Sequence, residues 1–151
     1  NAGVDGVLVV DYPLQECAHF AQALRDQKMD PIFLLAPTTT PVRAARIIEA
    51  ASGYVYYVSL RGITGAAHLD AARVAASVAA LKDKTTVPIA VGFGIRDAAS
   101  AQAVARAADA VVIGSRLIEV IEDAPPEQAA QAAYAWLKSI REALDAPNAD
   151  E

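Results

Sequence analysis

The chain has very little cysteine, very little histidine and no long apolar stretch. The single Cys17 excludes an internal disulfide and any cysteine-based metal cluster. It fits a reducing compartment, so the expected location is the cytoplasm. The two histidines, His19 and His68, have no Cys, His or carboxylate partner at metal-ligand spacing, which argues against a metal site. No apolar run approaches the ~18–20 residues of a membrane-crossing helix, and the first residues lack the basic segment of a signal peptide. No basic block stands out, and the net charge of −5 speaks against a nucleic-acid or anionic-membrane surface. Also missing are a G-x-G-x-x-G after the first strand, a Ser–His–Asp order, a paired set of catalytic carboxylates and a cysteine nucleophile.

What is present is an ordinary globular balance: 151 residues, 54% hydrophobic and 21% charged, enough for one domain with a real core. Apolar runs alternate with helical segments. Strands are expected at Val4–Val10, Pro31–Ala36, Tyr54–Ser59, Pro88–Val91 and Ala110–Ile113. The first, a continuous β-branched and aliphatic run, has the pattern of a strand buried on both faces. Helices are expected at Leu14–Lys28, from Pro41 to about Ala51, at Leu69–Leu81, Asp97–Ala108 and Leu117–Ile121, and from about Glu127 to Leu144. Thr40 suits an N-cap, with Pro41 in the first helical position. Cys17, Phe20, Ala21 and Leu24 form an apolar stripe on the first helix. Residues 146–151 are a polar tail, and the rest reads as one domain.

Five βα units in regular alternation imply parallel strands with crossover helices. Two architectures satisfy that pattern, a doubly wound open sheet and part of a (β/α)8 barrel. The glycines follow the late strands, Gly92-Phe93-Gly94 and Gly114-Ser115, which favours barrel loops. Glycine after a strand lets backbone approach a ligand, and a helix starting there offers free N–H groups and a positive dipole end. Two such turns on neighbouring strands would form a phosphate cup, or serve as plain strand-to-helix turns. Gly62 and Gly65 flank Thr64 in a polar loop that reads as a mobile lid or an ordinary surface loop. Asp11, at the C-terminal end of a strand, reads as a helix-capping or partner-facing carboxylate rather than a catalytic acid. Arg61 and Arg96 read as solvated loop charges, and Trp136 as packing.

The stretches GVDGVLVVDYP, PIFLLAPTTTP, ASGYVYYVSLRGITGA, PIAVGFGIRD and ADAVVIGSRLIEVIED occur in an order that resembles the tryptophan synthase alpha subunit. The resemblance covers nearly the whole chain and starts at what looks like the fourth barrel strand. It implies a partial (β/α)8 TIM barrel and a lyase that cleaves indole-3-glycerol phosphate to indole and glyceraldehyde 3-phosphate in tryptophan biosynthesis. It implies no cofactor in this subunit, and a beta subunit partner that uses pyridoxal phosphate. It places phosphate contacts at Gly65, Gly94, Gly114 and Ser115, and an aromatic against the indole at Phe93. Tyr56 falls on an active-site strand tyrosine, and Leu8, Leu34 and Val112 on pocket-lining positions. Thr64 falls on the loop threonine that meets the catalytic aspartate, and Asp11 and Pro13 on the rim facing the beta subunit. The family's acid/base glutamate and aspartate lie upstream of the matching region. This chain is therefore expected to be the C-terminal portion of a longer one, inactive by itself, with exposed edge strands that associate with another copy or with the preceding half. Two other readings stand beside it. One is a related phosphate-binding barrel isomerase of aromatic amino-acid biosynthesis. The other is a non-catalytic half-barrel that binds phosphate or a partner.

Overall fold

The computed structural model describes residues 3–10, 16–59, 71–92 and 94–146. Five strands alternate with helices: β1 Gly6–Leu8, α1 Ala18–Asp26, β2 Asp30–Leu35, α2 Pro41–Ala50, β3 Val55–Val58, α3 Ala71–Lys82, β4 Ile89–Gly92, α4 Ala98–Ala105, β5 Ala110–Val112, α5 Ser115–Glu122 and α6 Ala129–Asp145. The strands form one parallel sheet in the order β1-β2-β3-β4-β5. A doubly wound sheet reverses its strand order part-way. This one advances by one strand at every crossover, which is the progression of a (β/α) barrel.

Paired residues on parallel strands share a face, and that face alternates along each strand. The register aligns Leu34 with Tyr56, Tyr56 with Ala90 and Ala90 with Ala110. One step on, Leu35, Tyr57, Val91 and Val111 align on the opposite face. That second face carries the helices. Leu35, Val55, Tyr57, Ile89 and Val91 join Ala44 and Ile47 of α2, Val74 and Val78 of α3, Ala101 and Val104 of α4 and Ile140 of α6 in one core cluster. Trp136 packs against the same cluster, as its place in the last helix suggested.

Local chemistry explains the helix starts. Thr40 caps α2, accepting from the Arg43 N–H at 3.4 Å, with Pro41 in the first turn. Asp97 caps α4 in a reciprocal capping box: its carboxylate accepts from the Ser100 N–H at 2.8 Å, and Ser100 Oγ accepts from the Asp97 N–H at 3.2 Å. That network holds the Asp97 carboxyl below its ordinary range, chiefly through the Ser100 backbone bond.

The first strand departs from expectation. It spans only Gly6–Leu8 and is half-buried, while Val4, Val9 and Val10 are exposed. Among the described residues β1 pairs with β2 alone, so the apolar run Val4–Val10 has a shield on one side only. Two other differences are small. Cys17 sits at the N-cap of α1 and is buried, rather than lying inside the helix. α5 starts at Ser115, two residues before the expected Leu117, so Ser115 becomes its first helical residue.

Candidate functional site: the C-terminal edge of the sheet

In parallel βα folds ligands meet the loops that follow the strands. The sheet face away from the helices leads to that edge. By register Leu8, Leu34, Tyr56, Gly92 and Val112 all lie on it. Four of these are pocket positions named from the sequence, and the fold brings them to one surface. Leu8, Leu34, Tyr56 and Val112 are each half-buried, as a wall open on one side should be. Burial, and then the neighbouring Tyr54, pushes the Tyr56 phenol above its ordinary pKa.

Gly92 shows why Tyr56 occupies this place. A Cβ on Gly92 would stand 2.7 Å from the Tyr56 ring carbons Cε2 and Cζ, and closer still to its hydroxyl. The phenol therefore lies across the strand in the space that a side chain at residue 92 would need. Ser59, buried at the end of β3, fastens the same point. Its Oγ donates to the Gly92 carbonyl at 3.0 Å, and its backbone N–H to the same oxygen at 3.1 Å. Sequence reasoning assigned Ser59 no role. A buried serine directly after a strand of apolar residues was the available signal, because such a hydroxyl must find a partner.

The two glycine turns differ in what they offer an anion. Gly94 has φ +83°, a conformation other residues adopt only under strain. The helix behind it, α4, already has its N-terminus occupied by the Asp97–Ser100 box. α5 starts differently. Gly114 is its N-cap, no side chain caps it, and a Cβ at Gly114 would meet nothing within 4 Å. Gly114 and Ser115 are both exposed, and no side chain takes up the free N–H groups of this first turn. Of the two helices that follow the glycine turns, α4 is therefore capped by its own side chains and α5 is not.

Arg96 is solvated, as expected, with its side chain 59% exposed, and it also has a partner. Its Nη2 lies 2.7 Å from Glu119 Oε2, and Arg116 Nη1 lies 2.9 Å from the same oxygen. The bond links the turn after β4 to α5, and two guanidiniums on one carboxylate leave a net positive charge near the start of α5. The Arg116 hydrogen bond, followed by the charges of Arg96 and Arg116, holds Glu119 below the usual carboxylate range. At the other end of the sheet, Asp109 accepts from the Ile89 N–H and from Lys82 Nζ, both at 2.8 Å. That clamp belongs to the stability end of the fold.

Thr64, Gly65, Phe93, Asp11 and Pro13 lie outside the described residues, as do Arg61 and His68. His19 is exposed on α1. No cluster of three His, Cys, Asp or Glu able to hold a metal occurs among the described residues. No described helix is long and apolar enough to cross a membrane.

A family model described as the tryptophan synthase alpha chain matches residues 1–145. The chain belongs to the tryptophan synthase alpha chain family. The curated alpha chain of Paraburkholderia phytofirmans is 55% identical over 145 residues, spanning 96% of this chain and 54% of that protein. The alpha chain of Cupriavidus pinatubonensis is 58% identical over 145 residues, with 96% and 55% covered. The tryptophan synthase subunit alpha of Legionella pneumophila superposes with a TM-score of 0.82 at 34% identity, over 95% of this chain and 53% of that one. A Pyrococcus furiosus chain from a structure described as the tryptophan synthase a2b2 complex superposes with a TM-score of 0.76 at 32% identity, over 95% and 57%. The chain spans about half the length of the relatives it matches. Its five strands are a half-barrel of the alpha chain's TIM fold, which bears out the partial barrel expected from the sequence against the doubly wound sheet.

Proposed function

We propose that this chain supplies the phosphate and indole side of a tryptophan synthase alpha active site, and that it forms one continuous part of a single barrel domain, with residues 146–151 as its tail. The parent reaction is a retro-aldol cleavage of indole-3-glycerol phosphate. An acid protonates the indole ring, a base takes the glycerol hydroxyl proton, and indole and glyceraldehyde 3-phosphate separate. In this reading the phosphate lies against the first turn of α5. The N–H groups after Gly114, the Ser115 hydroxyl and the backbone at Gly94 and Gly65 hold its oxygens. Phe93, Tyr56, Leu8, Leu34 and Val112 line the indole side, and Thr64 supports the catalytic loop. The subunit needs no cofactor of its own. Its partner is a beta subunit that carries pyridoxal phosphate, met at the rim formed by Asp11 and Pro13. The observation that carries the reading is the uncapped α5 N-terminus, with open space at Gly114, on the strand next to the Gly94 turn.

The wall residues Leu8, Leu34, Tyr56, Gly92 and Val112 include no acid. In this reading the 151 residues bind and orient, and the acid/base pair belongs to the preceding half of the barrel. That supports inactivity of the chain by itself. It also supports the second reading, a half-barrel that binds phosphate or a partner and performs no chemistry. Titration calorimetry with glycerol 3-phosphate, together with an indole-release assay, tests both. Expected are weak phosphate binding that Ser115→Ala diminishes, no indole from this chain, and indole release once the preceding half of a relative's chain is supplied. Binding unchanged in both Ser115→Ala and Gly94→Val overturns the phosphate placement. Indole release by the 151 residues alone overturns their inactivity. Binding without rescue favours the second reading.

A further inference from the structure

On the helix-bearing side of the sheet, an open cavity lies among the end of β2, the start of α2 and the last turns of α3. Leu35, Ala44 and Leu81 supply apolar walls, and Tyr57, Thr39 and Lys84 supply polar groups. Tyr57 belongs to the core cluster and is only 4% exposed. Its hydroxyl nevertheless makes no hydrogen bond among the described residues, and no enclosed side-chain oxygen or nitrogen is left unsatisfied. The hydroxyl is therefore the part of Tyr57 that opens to the cavity. Water satisfies that hydroxyl when the cavity is open, and a bound acceptor would take the water's place.

Of the remaining polar groups, Ser77 spends its hydroxyl hydrogen on the Arg73 carbonyl at 3.0 Å and offers an acceptor, whereas Thr39 and Lys84 can donate. Thr39 Oγ1 accepts from the Ala36 N–H at 3.0 Å, which leaves its own hydrogen to donate. The Lys84 ammonium pairs with no carboxylate among the described residues, and no Asp or Glu lines the cavity. Three donors, one of them cationic, stand beside an apolar wall and lack a carboxylate acceptor. The geometry points to a binding site for a small monocarboxylate with a compact apolar body. The carboxylate is held by Lys84, Tyr57 and Thr39, and the body lies against Leu35, Ala44 and Leu81. The site sits on the opposite face of the sheet from the phosphate and indole wall, so it stands or falls independently of the lyase reading.

Titration of the ¹⁵N-labelled chain with sodium benzoate, followed by amide shifts, tests it, with benzyl alcohol as the uncharged counterpart. Expected are saturable shifts at Leu35, Ala36, Tyr57 and Leu81, with benzyl alcohol binding about tenfold more weakly, since bonds to a charged group are the stronger ones. Lys84→Ala and Tyr57→Phe each weaken benzoate by about tenfold, whereas Lys138→Ala on α6 leaves it unchanged. Lys84 is exposed, so its variant keeps the fold and decides the matter even if Tyr57→Phe perturbs packing. Absence of saturable shifts overturns the site. So does equal binding of benzoate and benzyl alcohol, or benzoate affinity indifferent to Lys84→Ala.

Discussion

Replacing Gly92 by alanine should force Tyr56 off the strand. The added methyl would stand 2.7 Å from two ring carbons of Tyr56, against an ordinary carbon–carbon contact of about 3.5–4.0 Å. Relief requires the ring to move by about 1 Å, away from the backbone that Ser59 holds at Gly92. Distorting a side chain from its rotamer costs about 0.5–1.5 kcal/mol, and overpacking as a whole about 1–3 kcal/mol. Alanine returns about 0.5–1 kcal/mol over glycine in a strand. The net loss expected for Gly92→Ala is therefore about 1–2 kcal/mol. Tyr56→Phe removes only the hydroxyl and leaves the ring carbons in the way, so it rescues little. Tyr56→Leu removes the ring, and in that background Gly92→Ala should cost almost nothing. Urea unfolding of the four combinations gives the coupling directly. A coupling of about 1 kcal/mol or more is expected between residues 92 and 56. The Tyr56 phenol, raised by burial, should also titrate nearer its ordinary pKa in Gly92→Ala, because the displaced ring meets water. Additive stabilities with an unchanged tyrosine titration would refute the steric argument.

Other outcomes follow from single contacts. Asp109→Ala strips the acceptor from the Ile89 N–H in a fully buried strand residue, and chemical denaturation should show a loss of about 1–3 kcal/mol. The Ile89 backbone bond, then Lys82, hold the Asp109 carboxyl below its usual range. Its stabilisation is therefore complete above the unfolded carboxylate pKa and is lost as pH falls through the lower folded value; Asp109→Ala should flatten that acid limb of stability against pH. Asp97→Ala removes the α4 cap, and the thermal midpoint should fall by an amount matching about 1 kcal/mol. If the exposed Val9 and Val10, directly after the half-paired β1, govern association, sedimentation should show species heavier than the 15.8 kDa monomer, and Val10→Lys should shift them toward monomer. A monodisperse monomer for the original chain would refute that association. Glu119→Gln frees Arg96 and Arg116 of a full countercharge, so glycerol 3-phosphate should bind more tightly at low salt, and the gain should shrink as salt rises.

The α2 start and the glycine turns were legible because they depend on neighbours in sequence. Thr40 ahead of Pro41 announces a helix entry, and glycine after an apolar run announces a strand end. The Asp97 capping box is equally local, yet Ser100 in place of the usual Glu or Gln kept it from being read as one. The Val4–Val10 run was misread for the opposite reason. Its burial depends on what stands beside β1, and nothing within the run carries that information. Arg96 is the solvated charge the sequence suggested; its partner Glu119 was not legible because it lies 23 residues further on, in a helix whose start was placed two residues late.

The sequence by itself determined the family, the five strand–helix units and the positions of the glycine turns, since each is written in motifs or in local periodicity. Only the tertiary structure decided the strand order, because βα alternation is shared by wound sheets and barrels and differs only in which edges hydrogen-bond. It also decided which glycine turn leaves a helix N-terminus open: α4 consumes its own donors through Asp97 and Ser100, whereas α5 starts uncapped. And it decided that Tyr56 lies over Gly92 while Tyr57 turns to the outer cavity. Both residues sit in an apolar run on a strand covered on one side and half-covered on the other, so hydrophobicity marks the strand, and only register assigns each ring its face.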